Sequence, residues 1–133
     1  MAVSLSREQE MSIPQIVSRI ERGLPSSTFT TLRNHLGITD KELAQIIRVP
    51  KSTLASRKKR GRFSFEESER LYRIQRLFAK AIEVFDDVEM ARKWLKEKAY
   101  GLGELSPLEF ATTEIGAREV ENLLGRIEYG VFS

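Results

Sequence analysis

The strongest constraint on the fold is the stretch TDKELAQIIRVPKSTLASRKKRG, residues 39–61, which contains two short helical patterns separated by three or four residues. Thr39 and Glu42 have the spacing of a capping box at the start of the first pattern, and the second pattern begins near Lys51. The small Ala44 would let the two helices cross closely. Their shared core is predicted to consist of Leu43, Ile47, Val49 and Leu54. This arrangement predicts a helix-turn-helix.

The rest of the 133-residue chain repeats the helical period and contains almost no strand pattern. Ser64 and Glu67 repeat the capping-box spacing before the longest apolar stripe, which extends from Leu71 to Phe85. The sequence therefore predicts an all-α fold. The predicted domains are an N-terminal helix within residues 1–24, a helix-turn-helix domain over 25–64 and a small helical C-terminal domain over 65–133.

Seven Lys and Arg residues lie between Arg48 and Arg62, and no acidic residue interrupts them. If Leu54 points inward, helical geometry turns Ser52 and Ser56 outward, where small hydroxyls can approach the base edges of DNA. Long cationic side chains beside them can reach bases or flanking phosphates. The predicted DNA-binding residues are Arg48, Lys51, Ser52, Thr53, Ser56, Arg57, Lys58, Lys59, Arg60 and Arg62. The alternative is a cationic helix face that is only solvated.

Among these residues, two roles are expected. Phosphate contacts, which set affinity and register, are assigned to Arg48, Lys51, Arg57, Lys58 and Arg62. Base preference is assigned to Ser52, Thr53, Ser56 and Arg60. The turn of a helix-turn-helix often contains a glycine, and Arg48 or its neighbours must form this turn without one.

Charge is distributed unevenly along the chain, although the net charge is only +3. Residues 1–98 contain 20 Lys and Arg against 13 Asp and Glu, whereas residues 99–133 contain two Arg against six Glu. This asymmetry suggests two surfaces that meet different partners. No apolar run approaches the roughly 20 residues of a membrane span, and residues 1–12 lack the apolar stretch of a signal peptide. A cytoplasmic location is expected.

Catalysis is not expected. The chain has no cysteine, which excludes disulfides, thiolate metal sites and a cysteine nucleophile. His35 is the only histidine and has no neighbour at ligand spacing, so the serines lack a partnered base. We predict no catalytic residue, no metal site and no cofactor.

Several motifs occur in a specific order from residue 32 to residue 132. They are STLASRKKRG, FEESERL, A..WL, LG...P and G...V..LL.RIEYGV. Together they resemble the Xre/MbcA/ParS antitoxin family. Leu102, Gly103 and Pro107 match the Leu-Gly-Gly-x-x-Pro element of that family, but Glu104 stands where a second glycine is usual.

The resemblance implies a bacterial type II antitoxin that is dimeric, with an Xre-like DNA-binding half and a C-terminal half that binds a toxin. Its usual partner is a toxin with a RES domain, which consumes NAD+. Such antitoxins typically occlude the active site of the toxin and repress their own operon. Two alternatives remain: a stand-alone transcriptional regulator whose C-terminal module binds only itself or a small effector, and, less favoured, an enzyme.

The segment GRIEYGVFS at residues 125–133 places apolar side chains beyond the last predicted helix. An apolar segment beside acidic residues suits insertion into a cationic cleft, and a cleft that binds the two phosphates of NAD+ would be cationic. Because the resemblance implies toxin contact in this half, the predicted toxin-binding residues are Arg126, Glu128, Tyr129, Val131 and Phe132. The alternative is a segment packed on its own domain.

The apolar stripes over residues 13–20 and 71–85 present more apolar surface than a chain of this length is expected to cover alone. We expect part of one stripe to close a two-fold interface, which would present two recognition helices to a near-palindromic operator. The alternative is that both stripes are covered within one chain.

Overall fold

The computed structural model describes residues 11–99 and 102–130. Within these ranges the chain forms eight helices and no β-strand, which confirms the predicted all-α fold. The helices are α1 (Ile13–Arg22), α2 (Ser26–Leu36), α3 (Asp40–Ile46), α4 (Lys51–Arg60), α5 (Phe65–Phe85), α6 (Val88–Lys96), α7 (Pro107–Phe110) and α8 (Glu114–Glu128). None of the helices described here is long and apolar enough to cross a membrane.

Reciprocal hydrogen bonds at the start of several helices fix where those helices begin. The predicted box at α3 is present, since Glu42 N donates to Thr39 Oγ1 and Thr39 N donates to Glu42 Oε1. The predicted box at α5 is also present, with Ser64 N donating to Glu67 Oε1 at 2.8 Å. Each box satisfies backbone donors that the first turn of a helix leaves unpaired.

The chain divides into two compact units, and the boundary lies within α5 between Gln75 and Arg76. In the first unit, the rings of Phe29 and Phe63 lie 5.8 Å apart in the core. Leu24 N donates to the buried Ser68 Oγ at 2.7 Å, and Phe63 N donates to Leu24 O at 3.0 Å. These bonds tie the α1–α2 connection to the segment that links α4 with α5.

Helix α1 leaves most of its apolar stripe uncovered by the described residues. Of its residues only Ile20 is buried, while Ile13 and Val17 are 72% and 47% exposed. A ten-residue helix is marginal in water without packing of its apolar face.

The second unit packs α6, α7 and α8 with the last part of α5. Its buried side chains include Leu77, Phe78, Ala81, Ala91, Leu95, Leu108, Ala117, Val120 and Leu124. Gly116 lets α8 approach the end of α7, because a Cβ atom at this position would lie 1.8 Å from the carbonyl oxygen of Phe110.

The turn from Leu102 to Leu105 has a hydrogen bond from Leu105 N to Leu102 O at 3.2 Å. Its two central residues, Gly103 and Glu104, have φ of 62° and 65°. Turns with two left-handed central residues favour glycine, which gives a physical reason for the Gly-Gly pair expected at this point. Glu104 takes the same conformation despite its side chain.

Candidate functional site

Helices α3 and α4 form the predicted helix-turn-helix. All four members of its predicted core are buried: Leu43, Ile47, Val49 and Leu54. Ala44, predicted to let the two helices cross closely, is buried as well. Leu54 is the only fully buried residue of α4, and Thr53 and Arg57 are half-buried.

The turn between these helices is made by Arg48 in the left-handed region, with φ of 59°. Val49 N donates to Ala44 O at 2.8 Å, and Arg48 N donates to Gln45 O at 3.2 Å. This pair of bonds is the Schellman motif, whose left-handed position is usually glycine. Arg48 therefore adopts a conformation that costs a non-glycine residue free energy, and its side chain is exposed beside α4.

The outer face of α4 is polar and cationic. Ser52, Ser56, Lys59 and Arg60 are exposed, as the inward position of Leu54 predicts, and Thr53 is half-buried. The N-cap of α4 is Pro50, which makes no side-chain capping bond. The start of a helix with uncapped N–H groups favours an anion such as a phosphate.

Arg57 is held inside the first unit by Glu67. Its Nε and Nη2 atoms donate to the two carboxylate oxygens of Glu67 at 2.7 and 3.1 Å, and the Glu67 side chain is only 10% exposed. The hydrogen bond with Glu67 raises the pKa of Arg57. Burial alone would raise the pKa of Glu67, but hydrogen bonds from Arg57 and Ser64 outweigh burial and lower it. The pair links the recognition helix to the first turn of α5.

Lys58 and Arg62 also have partners within the first unit. Lys58 forms an ion pair with Asp40. The Nζ atom of Lys58 lies 5.8 Å from the ring centroid of Phe29. Arg62 Nη1 donates to the carbonyl oxygens of Arg22 and Gly23. Three of the five predicted phosphate contacts, Arg57, Lys58 and Arg62, are thus occupied by intramolecular bonds.

The remaining cations lie on the open side of the motif. Arg48, Lys51 and Lys59 are exposed, and none of them forms an ion pair with another described residue. A groove between α3 and α4 adds residues that the sequence interpretation missed: Lys41, Gln45 and Ala55 line it together with Lys51. The sequence could have indicated two of them, because Lys41 and Gln45 are four residues apart and therefore lie on one face of α3, opposite the buried Leu43.

At the other end of the chain, the described toxin-binding candidates lie at the end of α8. Tyr129 is 80% exposed. Glu128 Oε1 accepts a hydrogen bond from Lys80 Nζ at 3.0 Å, and this bond raises the pKa of Lys80. Arg126 lies 3.6 Å from Glu119. Gly130 has φ of 68°, in the left-handed region, and Val131 and Phe132 lie outside the described residues.

Comparison with known proteins assigns both halves. Residues 15–76 match the antitoxin Xre-like helix-turn-helix domain, and residues 80–130 match the antitoxin Xre/MbcA/ParS C-terminal toxin-binding domain. The chain belongs to the Xre family of antitoxins. All ten predicted DNA-binding residues lie within the first match, and Arg126, Glu128 and Tyr129 lie within the second.

Curated relatives agree with this family. The chain is 35% identical over 120 residues to an antitoxin Xre of Yersinia enterocolitica, covering 89% of this chain and 81% of the relative. It is 30% identical over 122 residues to an antitoxin Xre of Photorhabdus laumondii, covering 90% and 82%. It is 32% identical over 127 residues to an antitoxin Xre of Pseudomonas putida, covering 90% and 79%. As a member of this family, the chain is an antitoxin with a DNA-binding helix-turn-helix domain and a toxin-binding domain.

Proposed function

We propose that this antitoxin neutralises an NAD+-consuming RES-domain toxin by occluding its active site, and that it represses its own operon by binding the operator through α4. The observation that carries the DNA-binding half is the exposed, acid-free face of α4 within a helix-turn-helix. The match of residues 80–130 to a toxin-binding domain supports the other half. The RES identity of the toxin rests on the family resemblance of the sequence motifs.

On the DNA side, the intramolecular bonds support a revised division of roles. Arg48, Lys51 and Lys59 contact phosphates, while Ser52, Ser56 and Arg60 face the bases. Arg57 and Lys58 hold α4 against α5 and α3 through Glu67 and Asp40. Arg62 fastens the segment after α4 to the end of α1.

We propose that operator binding involves a dimer, and that α1 is the surface that forms it. Exposed Ile13 and Val17 lie on a helix of which only Ile20 is buried in the described part of the chain. A second copy packed on this stripe would remove it from water and would present two α4 helices to successive major grooves. Light scattering at micromolar concentration tests the dimer, and a monomer would exclude it.

On the toxin side, Arg126, Glu128, Tyr129, Val131 and Phe132 are proposed to enter the substrate cleft of the toxin. Removal of residues 129–133 tests this proposal. We expect thermal stability and DNA binding to survive and inhibition of NAD+ loss to fall sharply. Full inhibition by the folded, truncated protein would show that this segment does not occlude the active site.

The experiment that tests the function as a whole is co-expression with the toxin encoded beside the antitoxin gene. We expect one complex on size-exclusion chromatography with light scattering, which binds the DNA upstream of the gene pair. If the antitoxin binds that DNA but forms no complex with the neighbouring gene product, the chain acts instead as a stand-alone regulator.

A further inference from the structure

Helix α8 and its C-cap residue Tyr129 expose two large apolar side chains on one face. Ile115 and Tyr129 are 82% and 80% exposed, more than any other large apolar side chain described. They are separated by 14 residues, so in an α-helix they lie about 21 Å apart along the axis and about 40° apart around it. The buried residues Val120 and Leu124 lie on the opposite side of the helix. The outer face of α8, defined here by Ile115, Asn122, Gly125 and Tyr129, is thus apolar at both ends. Between these ends the exposed charged side chains of Arg118, Glu119 and Arg126 lie on the same side of the helix, and Arg126 pairs with Glu119 at 3.6 Å.

Gly125 lies on this face and has no packing reason to be glycine. A Cβ atom at position 125 would meet no described heavy atom within 4 Å, whereas at position 116 it would meet Phe110 O at 1.8 Å. Glycine within a helix lowers helix stability relative to alanine. The packing of the described residues explains why residue 116 is a glycine but does not explain Gly125. Without a side chain, Gly125 leaves the helix backbone uncovered on the outer side of α8.

The surface over Gly125 is a shallow concavity. It is lined by Lys80, Glu121, Asn122, Gly125, Arg126, Glu128 and Tyr129. Its charged groups already have partners: Lys80 binds Glu128 at 3.0 Å, Arg76 binds Glu121 at 2.9 Å, and Arg126 lies 3.6 Å from Glu119. A group entering this concavity therefore meets neutralised charge pairs and the exposed ring of Tyr129. This environment suits an uncharged side chain better than an ion.

We infer that the toxin docks along the outer face of α8 from Ile115 to Tyr129 and inserts a protruding, uncharged side chain over Gly125. This inference rests on the proposed toxin binding and specifies its surface, and the whole face lies within the match to the toxin-binding domain. Large apolar side chains such as these two are typical anchors of a helix that lies in a groove of its partner. The bare backbone at Gly125 allows the close approach between them.

The test compares Gly125→Ala and Ile115→Ala with Met90→Ala, a matched control because Met90 is a 50% exposed apolar residue on α6 of the same unit. The probe is the purified toxin encoded beside the gene, titrated by calorimetry, with the Tm of each variant measured in parallel. We expect Gly125→Ala to raise Tm and to weaken toxin binding at least 10-fold. Ile115→Ala should weaken binding at least 10-fold at unchanged Tm, and Met90→Ala should stay within two-fold of wild type.

Three results would overturn the inference. In the first, both test variants bind the toxin within two-fold of wild type, as the control does. In the second, Gly125→Ala lowers Tm, which would show that the glycine serves the fold. In the third, the variants dissociate an antitoxin dimer and leave toxin affinity intact, which would assign the face to a second copy. A wild-type chain that does not bind the toxin at all would instead refute the proposed function.

Discussion

The salt dependence of DNA binding distinguishes Arg57 from Lys59, although both are cations of the same helix. We expect Lys59→Ala to remove a phosphate contact, because Lys59 is exposed and has no ion-pair partner among the described residues. We expect Arg57→Ala to remove none, because both carboxylate oxygens of Glu67 already bind the guanidinium. Loss of Arg57 should still weaken binding, since α4 would lose its attachment to α5.

The expected size of the difference follows from counterion release. Each phosphate contact contributes about 0.9 to the slope of log K against log salt concentration. Between 50 and 200 mM salt, the loss of one contact therefore changes the ratio of mutant to wild-type affinity by about 3.5-fold. For Lys59→Ala, the factor by which the variant binds DNA more weakly than wild type should shrink by about 3.5-fold as salt rises from 50 to 200 mM. For Arg57→Ala, that factor should stay constant.

The assay is fluorescence anisotropy with the DNA upstream of the antitoxin gene, at four or more salt concentrations. Lys93→Ala is the control, because Lys93 is an exposed lysine of α6 outside the helix-turn-helix; its slope should equal that of wild type. Glu67→Gln adds a second check. If Arg57 only positions α4, removing the charge of Glu67 should not create a new phosphate contact, so the slope of log K against log salt concentration should not steepen. A slope that falls by about 0.9 in Arg57→Ala but not in Lys59→Ala would refute the division of roles.

Three further predictions concern stability. Gly116→Ala should lower the free energy of unfolding by about 1–3 kcal/mol in urea denaturation, because the new Cβ would lie 1.8 Å from Phe110 O; an unchanged urea midpoint would contradict this packing. Arg48→Gly should raise the free energy of unfolding by up to about 1 kcal/mol, because glycine adopts the left-handed conformation without the cost that arginine incurs. The same change should lower the slope of log K against log salt concentration for DNA binding by about 0.9. A lower free energy of unfolding would contradict the cost assigned to Arg48 in this turn. The pKa of Glu67 is lowered from its ordinary value near 4.5, so the folded state binds a proton at this carboxylate less readily than the unfolded state does. The ionised Glu67 therefore stabilises the fold above about pH 4.5. This stabilisation is lost as the pH falls through the pKa of Glu67 in the folded state. Wild type should therefore lose stability more steeply than Glu67→Gln below about pH 4.5, and parallel pH profiles would exclude this contribution.

Local sequence patterns predicted the helix-turn-helix well because its determinants are close together in the chain. The capping boxes at Thr39 and Ser64 connect residues three positions apart, and burial of Leu54 follows from helical period alone. The same period predicted the exposure of Ser52 and Ser56. These features depend on short-range geometry, which a single sequence displays directly.

The pairing of cations could not be predicted in this way, because it depends on which acidic side chain a fold brings near. Arg57 meets Glu67 ten residues later, across the end of one helix and the start of another. Lys58 meets Asp40, 18 residues earlier. The seven cations from Arg48 to Arg62 therefore could not be told apart in the sequence. The structure distinguishes side chains that are bound within the first unit from side chains that are exposed. The open space beside Gly125 could not be predicted for the same reason, since only packing distinguishes this glycine from Gly116.

The proposed blocking of an NAD+-consuming toxin by this antitoxin can be followed through the amount of NAD+ in a reaction with the purified toxin encoded beside the antitoxin gene. We expect the toxin alone to consume NAD+, the antitoxin alone to leave NAD+ unchanged, and increasing amounts of antitoxin to stop the reaction once the toxin is saturated. Continued loss of NAD+ at saturating antitoxin, in a mixture shown to contain the complex, would contradict occlusion of the active site. Loss of NAD+ with the antitoxin alone would contradict its assignment as a binding protein.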